Sequence, residues 1–530
     1  VLSATLWLAV TTTAVVLGAS TAAEERDPEA IEAGLSEALA RHVTQPVFAR
    51  AIWGVQVADL DTGVTLFATN AQTLLKPASN AKLFTAALAL DRLGPDYPIP
   101  TDLILEGPMT RRGTLRGDVV VRGHGDFSAA ARFHGGDHRQ SLGSLVSALK
   151  EAGVRRVDGA LVADASAFGA RPFGASWTWE DLAYYYGAEV GALNTDDNVL
   201  DVTFQPGSQP GDPVRVSVQP ETDYLVFDRH AARTVGADGE RNLRLSRLPG
   251  QRSVLVQGSL PVGGESWVDA VTVPEPNLFF VYRFREELER AGIPVREPSR
   301  VQVKVREQER VRALGGSDVG RRSSGLRQQM LLRHSSPPLR ALLPMMLKPS
   351  QNLYAQLLLL QVGLQEGVEA SAAAPKETAL ERAGLQAMAA FLGKAGIDPG
   401  EVLFDEGSGL SRSALVTPQA VVSLLRHMHR HPHREVFLDA LPVAGVDGTL
   451  RRRLRDTPAA GHLRAKTGTL RYVHALSGMV THSSGRRLVF AALLNAYDPK
   501  EGAPNGREAL DALALLLAGP EEGSSARVAP

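Results

Sequence analysis

Cysteine is absent from all 530 residues. Disulfide frameworks, thiolate nucleophiles and cysteine-ligated zinc are thereby excluded. The chain also has no thiol to misoxidise in an oxidising compartment. Net charge is nearly absent as well: 57 Lys and Arg against 58 Asp and Glu leave a formal charge of −1. No global field therefore draws the chain to nucleic acid or an anionic membrane, although peripheral membrane contact stays open. Lysine is scarce, nine of the 57 basic residues, so a lysine inside a motif carries more weight than usual. Long apolar runs are missing apart from one near the start. Leu6 to Leu17 is apolar, and small residues and then Glu24 and Glu25 follow. That pattern predicts a signal peptide over 1–23 and export to the periplasm or the medium; it is short for a membrane span. It departs from the usual leader in having no basic residue before the apolar run. The 13 histidines show no metal-ligand spacing. His427, His429, His431 and His433 read as the decoration of a helix end, where a cation is favoured, and no metal or cofactor is expected.

What is present divides the chain into two kinds of pattern. From Pro28 to Leu93, and again from Pro337 onward, helical periodicity mixes with short strands; His462–Thr469, Ala475–His482 and Arg487–Ala496 read as three consecutive strands. Between them, short β-like runs such as Asp118–Arg122, Val199–Phe204 and Ser253–Leu260 alternate with Gly/Pro turns, with one strong helix at Pro276–Ala291. The expectation is an α+β protein. Residues 24–97 and 326–518 would form one discontinuous catalytic domain, 98–325 a β-rich insert of two subdomains, and 519–530 a disordered tail.

Three short motifs carry chemistry. Ser79-Asn80-Ala81-Lys82 has the form S-x-x-K at the start of an Ala/Leu-rich helix. Residues three apart share a helix face, so Lys82 can reach the Ser79 hydroxyl, and a desolvated lysine has a lowered pKa and can serve as its base. Alone the motif is weak: an N-cap serine with a passing lysine looks the same. A second copy, Ser147-Ala148-Leu149-Lys150, ends an amphipathic helix where its lysine is expected in solvent. Ser350-Gln351-Asn352 has the form S-x-N, offering a hydroxyl and a carboxamide. Lys466-Thr467-Gly468-Thr469 is the one K-T-G of the chain, on an expected strand where Gly468 lets a substrate backbone approach. The order S-x-x-K, S-x-N, K-T-G is that of penicillin-binding proteins and class A β-lactamases, with Gln351 in place of the usual Asp.

Beyond the motifs, Lys76–Leu83, Lys348–Ala355, Gly407–Arg412, Ala444–Leu450 and Ala465–Leu470 with Ala475–Gly478 resemble stretches of the class C low-molecular-mass penicillin-binding proteins, serine peptidase family S13. The long spacing from Ser79 to Ser350 is similar to that family's large insertion. The resemblance implies a penicillin-binding/β-lactamase-like domain and a D-Ala-D-Ala carboxypeptidase or endopeptidase acting on peptidoglycan stem peptides, inhibited by β-lactams. It implies Ser79 as nucleophile, Lys82 as base, Ser350 and Lys466 as proton relay, and Asn352 holding the penultimate amide. Thr467 and Thr469 would bind the terminal carboxylate, with Gly468 between them letting the substrate approach, and Ser408 and Leu410 would line the pocket for the third residue of the stem. The aromatic segment Trp177–Tyr186 either leans over that pocket or packs inside the insert. Two rivals stand beside this reading. A β-lactamase would need a fast deacylation base, and no convincing loop glutamate appears between Asn352 and Leu450. A degenerate, purely binding protein would have no use for the intact motif residues.

Overall fold

The computed structural model describes residues 28–168, 173–303, 328–367 and 376–520. The expected signal peptide and most of the expected tail lie outside them. A five-stranded antiparallel sheet is assembled from both ends of the chain, in the order Leu463–Leu470, Val473–Thr481, Arg487–Asn495, Ile52–Asp59, Thr65–Thr69. On one face lies the C-terminal helix Gly506–Ala518, whose Leu510, Leu513 and Leu517 pack with Val55, Val57, Phe490 and Leu494. On the other lie the helices Ala81–Leu93, Asn352–Gln365 and Pro418–Arg430. Ala81 to Leu90 and Asn352 to Gly363 are buried on every side, the mark of helices inside a core rather than on its surface. Both helices are therefore held by packing around their whole circumference.

The middle of the chain forms its own sheets. Pro100–Glu106, Asp118–Gly123, Leu161–Asp164 and Arg300–Gln302 lie side by side, with the helices Gly143–Glu151 and Pro276–Arg290 contributing to their apolar core. Gln328–Ser335 pairs antiparallel with Pro100–Glu106 on the remaining edge. This strand, within the expected 326–518 stretch, thus pairs with a strand of the expected 98–325 insert, and the helix Leu339–Leu347 follows it. Two three-stranded sheets, Val226–Val235 with Ser253–Pro261 and Arg244–Ser246, and Trp267–Thr272 with Val199–Gln205 and Arg215–Gln219, enclose a second core around Phe204, Tyr224, Val254 and Phe279. Among the described residues no helix is long and apolar enough to cross a membrane.

Candidate active site

The nucleophile motif begins in a tight turn. Ala78 is fully buried and left-handed, with φ 48°, and Ala78–Asn80 forms one 3-10 turn before the helix Ala81–Leu93. Two glycines press on this turn from opposite segments. A Cβ on Gly409 would lie 2.0 Å from the Ala78 carbonyl oxygen, and one on Gly468 would lie 2.8 Å from that of Pro77. Asn80 Nδ2 donates to Ser477 Oγ at 2.7 Å, and the backbone N–H of Lys76 donates to Asn495 Oδ1 at 2.9 Å. The turn is pinned to the sheet on both sides of Ser79.

Lys82 is 0% exposed. Its Nζ lies 3.0 Å from Ser79 Oγ, 2.5 Å from Asn352 Oδ1 and 2.7 Å from the Ser408 carbonyl oxygen. Burial pulls its pKa down to about 7, opposed by the negative charge of Glu406. A neutral amine keeps two N–H donors and gains a lone pair. Asn352 Oδ1 and the Ser408 carbonyl can only accept, so they keep the two donors. Ser79 Oγ is the one neighbour able to donate, and its hydroxyl proton then faces the Lys82 lone pair.

Ser350 sits between the helices Leu339–Leu347 and Asn352–Gln365 with φ 66°, a sparsely populated conformation for serine that recurs at functional sites. Lys466 Nζ, also fully buried, donates to Ser350 Oγ and to the Thr467 carbonyl, both at 2.8 Å. Burial, then the nearby Lys82 charge, lowers the Lys466 pKa well below its ordinary value. Gln351, the departure from the motif, caps its helix: its side chain accepts from the Leu353 N–H at 3.4 Å. The Asn352 amide is fixed at both ends, because its Nδ2 donates to the Tyr186 carbonyl of the insert at 2.8 Å. Thr467 Oγ1 donates to Thr449 Oγ1 at 2.8 Å, and the loop carrying Thr449 is tied back by the Lys348–Asp447 ion pair.

These groups open on a cleft of about 830 Å³ whose walls include Ser79, Ser350, Asn352, Leu410, Thr467 and Thr469. Of the expected site residues, Ser79, Lys82, Ser350, Asn352 and Lys466 converge here, with Gly468 against the nucleophile's turn. Ser408 does not reach the cleft. It is fully buried and its hydroxyl donates to Glu406 Oε2 at 2.6 Å, so it serves Lys82 through its backbone carbonyl and cannot line a pocket for substrate. Glu406 is the residue the motifs did not reveal. Its carboxylate accepts from the N–H groups of Ser408 at 2.7 Å and Gly409 at 2.5 Å, and from Trp177 Nε1 at 3.3 Å. It thereby shapes the loop that presents Ser408 to Lys82. The only sequence signal was its place directly before Gly407-Ser408-Gly409.

The aromatic segment divides in two. Trp177 turns inward to Glu406, whereas Trp179 is 70% exposed and joins Tyr184, Tyr185 and Tyr186 in the cleft wall. Arg412 and Asp181 pair across the same wall at 3.0 Å. Lys150 of the second S-x-x-K copy is exposed and does not line this cleft. His427 and His429 lie in the last turn of the helix Pro418–Arg430, as expected, and burial lowers the pKa of both and of His431.

A buried lysine against a serine at a helix start, a second lysine–serine pair and a carboxamide, set between an all-helical layer and an antiparallel sheet, define an active-serine enzyme of penicillin-binding architecture. The model of the D-Ala-D-Ala carboxypeptidase 3 (S13) family matches residues 35–517, and the chain belongs to that family. It is a serine-type D-Ala-D-Ala carboxypeptidase. It is 32% identical over 485 residues to the D-alanyl-D-alanine carboxypeptidase of Actinomadura sp. (strain R39), covering 89% of this chain and 82% of that one. It is 27% identical over 430 residues to D-alanyl-D-alanine carboxypeptidase DacB of Haemophilus influenzae, covering 81% and 82%. The crystal structure of penicillin binding protein 4 (dacB) from H. influenzae superposes with a TM-score of 0.71 at 25% identity, over 91% of this chain and 97% of that one.

Proposed function

We propose that the enzyme cleaves the bond after the penultimate D-alanine of peptidoglycan stem peptides through an acyl-enzyme on Ser79, and that it opens D-Ala cross-links by the same route. The observation that carries this reading is Lys82 Nζ, fully buried and 3.0 Å from Ser79 Oγ, with a pKa near 7. As Ser79 Oγ bonds to the substrate carbonyl carbon, neutral Lys82 takes its proton. The oxyanion is met by the backbone N–H groups of Ser79 and Thr469. The C–N bond then breaks, and the departing nitrogen receives a proton through Ser350 Oγ, which Lys466 holds at 2.8 Å. Net, the proton of Ser79 ends on the leaving amine. Asn352 orients the acyl-side amide, and Thr467 and Thr469 receive the terminal carboxylate. Water, losing its proton to Lys82, next cleaves the ester and restores Ser79.

β-Lactams would acylate Ser79 by the same attack and leave slowly. The H. influenzae relative has also been solved complexed with a β-lactam. Action on the cell wall requires export, which the leader-like residues 1–23 support; contact with a membrane is not needed for it. Peptide mapping by mass spectrometry after benzylpenicillin treatment should find the adduct on Ser79 and none in Ser79→Ala. An unmodified Ser79 in folded, treated protein refutes the reading.

A further inference from the structure

The cleft continues past the threonines that would hold a terminal carboxylate. Beyond Thr469 its wall runs over Leu470, Arg471 and Arg507. The hairpin fixes this neighbourhood. Thr469 pairs with His474 across it, and Arg471 and Tyr472 form its turn. A Cβ on Gly506 would lie 2.1 Å from the His474 ring, so the chain reaches Arg507 directly beside that pair. Arg453 Nη2 in turn reaches the Arg507 carbonyl at 3.4 Å.

Charge on this side is lopsided. Arg453 is answered by Asp511 at 2.7 Å. Arg471 and Arg507 are exposed and make no ion pair among the described residues; Arg471 lies 5.2 Å over the Tyr472 ring. After burial, the Arg507 and Arg453 charges add to the lowering of the His474 pKa. The two acidic groups in the cleft wall, Glu180 and Asp181, belong to the insert, and Asp181 is already paired with Arg412.

We propose that Arg471 and Arg507 form a carboxylate-binding subsite for the leaving group, occupied when the departing amine belongs to a second, acidic stem peptide. The inference rests on the acyl-enzyme reading above. A single departing D-alanine carries one carboxylate, which on that reading Thr467 and Thr469 receive. A cross-link's leaving strand carries further carboxylates on the far side of those threonines, and two guanidinium forks are suited to them. Exposed ion pairs are individually weak, so the pair should change affinity about tenfold and act in a salt-dependent way.

The experiment compares wild type with Arg471→Ala/Arg507→Ala and Arg471→Glu/Arg507→Glu on two substrates, a purified cross-linked muropeptide dimer and diacetyl-Lys-D-Ala-D-Ala, at low and high salt. The Ala pair should lower kcat/KM for the dimer about tenfold, mainly through KM, and the Glu pair should lower it further. D-Alanine release from the short peptide should stay within about twofold, and the salt dependence of dimer cleavage should flatten. Equal losses on both substrates, or unchanged dimer cleavage, overturn the subsite. So does a wild-type enzyme that trims the short peptide but leaves the dimer intact. Failure of wild type to release D-alanine from the short peptide would strike the functional reading instead.

Discussion

Lys82→Met removes the amine while keeping a chain of similar length in a site with no exposed surface. If Lys82 is the base for Ser79, acylation should fall about 10²–10⁴-fold, which corresponds to roughly 3–5 kcal/mol on the barrier. Stopped-flow acylation by benzylpenicillin measures that step alone. The pH profile is the sharper part of the test. The amine acts only when neutral, so the wild-type rate should climb about tenfold per unit below pH 7 and level off above it, following the depressed pKa of about 7. The variant should lose that limb.

Stability moves with the same group. A lysine whose pKa falls from 10.5 to about 7 on folding resists charging in the fold. Its cost is full below about pH 7, about 5 kcal/mol as an upper figure, and fades as pH rises to the unfolded value. Methionine removes that cost but leaves Asn352 Oδ1 and the Ser408 carbonyl without their donor, about 1–3 kcal/mol each. The two effects nearly offset at neutral pH. Wild type should therefore gain on the variant between pH 7 and 10, read as a difference in Tm at the two pH values. A folded variant that still acylates within threefold of wild type, or an unchanged acid limb, would refute the role given to Lys82.

Two further substitutions test its surroundings. Glu406→Gln deletes the negative charge that holds the Lys82 pKa up and keeps one of the two accepting oxygens, so in folded protein the acid limb of acylation should move to lower pH. A shift upward, or none in a folded protein, would remove Glu406 from the electrostatics of the site. Gly468→Ala places a Cβ 2.8 Å from the Pro77 carbonyl and 3.1 Å from Ala78 Cβ. Overpacking of this kind costs about 1–3 kcal/mol, and the displaced turn should slow acylation at least tenfold; wild-type kinetics and Tm would show that the turn has slack.

The groups proposed to act were legible because their chemistry demands fixed residue types at fixed local offsets: i and i+3 for Ser79 and Lys82, a turn for Ser350, a strand for Lys466. Glu406 is not, because a carboxylate held by backbone N–H groups, one hydroxyl and an indole leaves no spacing pattern. Ser408 was assigned to the cleft because a motif gives position along the chain without orientation, and here the hydroxyl turns inward. The strand Val226–Val235 escaped notice because it is mostly exposed and broken by a register shift between Asp228 and Ala231, which erases the alternation a strand normally shows. Gln328–Ser335 finds its partner 222 to 235 positions earlier, as in Gln328↔Glu106 and Ser335↔Pro100 (328 − 106; 335 − 100), a pairing that no local pattern encodes.

The order of strands in the central sheet has a consequence for synthesis. Ile52–Asp59 and Thr65–Thr69 emerge early, yet their neighbour Arg487–Asn495 emerges almost last. Until then the N-terminal segment holds only a two-stranded hairpin, marginal by itself in water, and the lysine that steadies Ser350 has no strand to sit on. A growing chain is therefore an unarmed hydrolase, and it becomes competent only after the strands from Leu463 to Asn495 have docked.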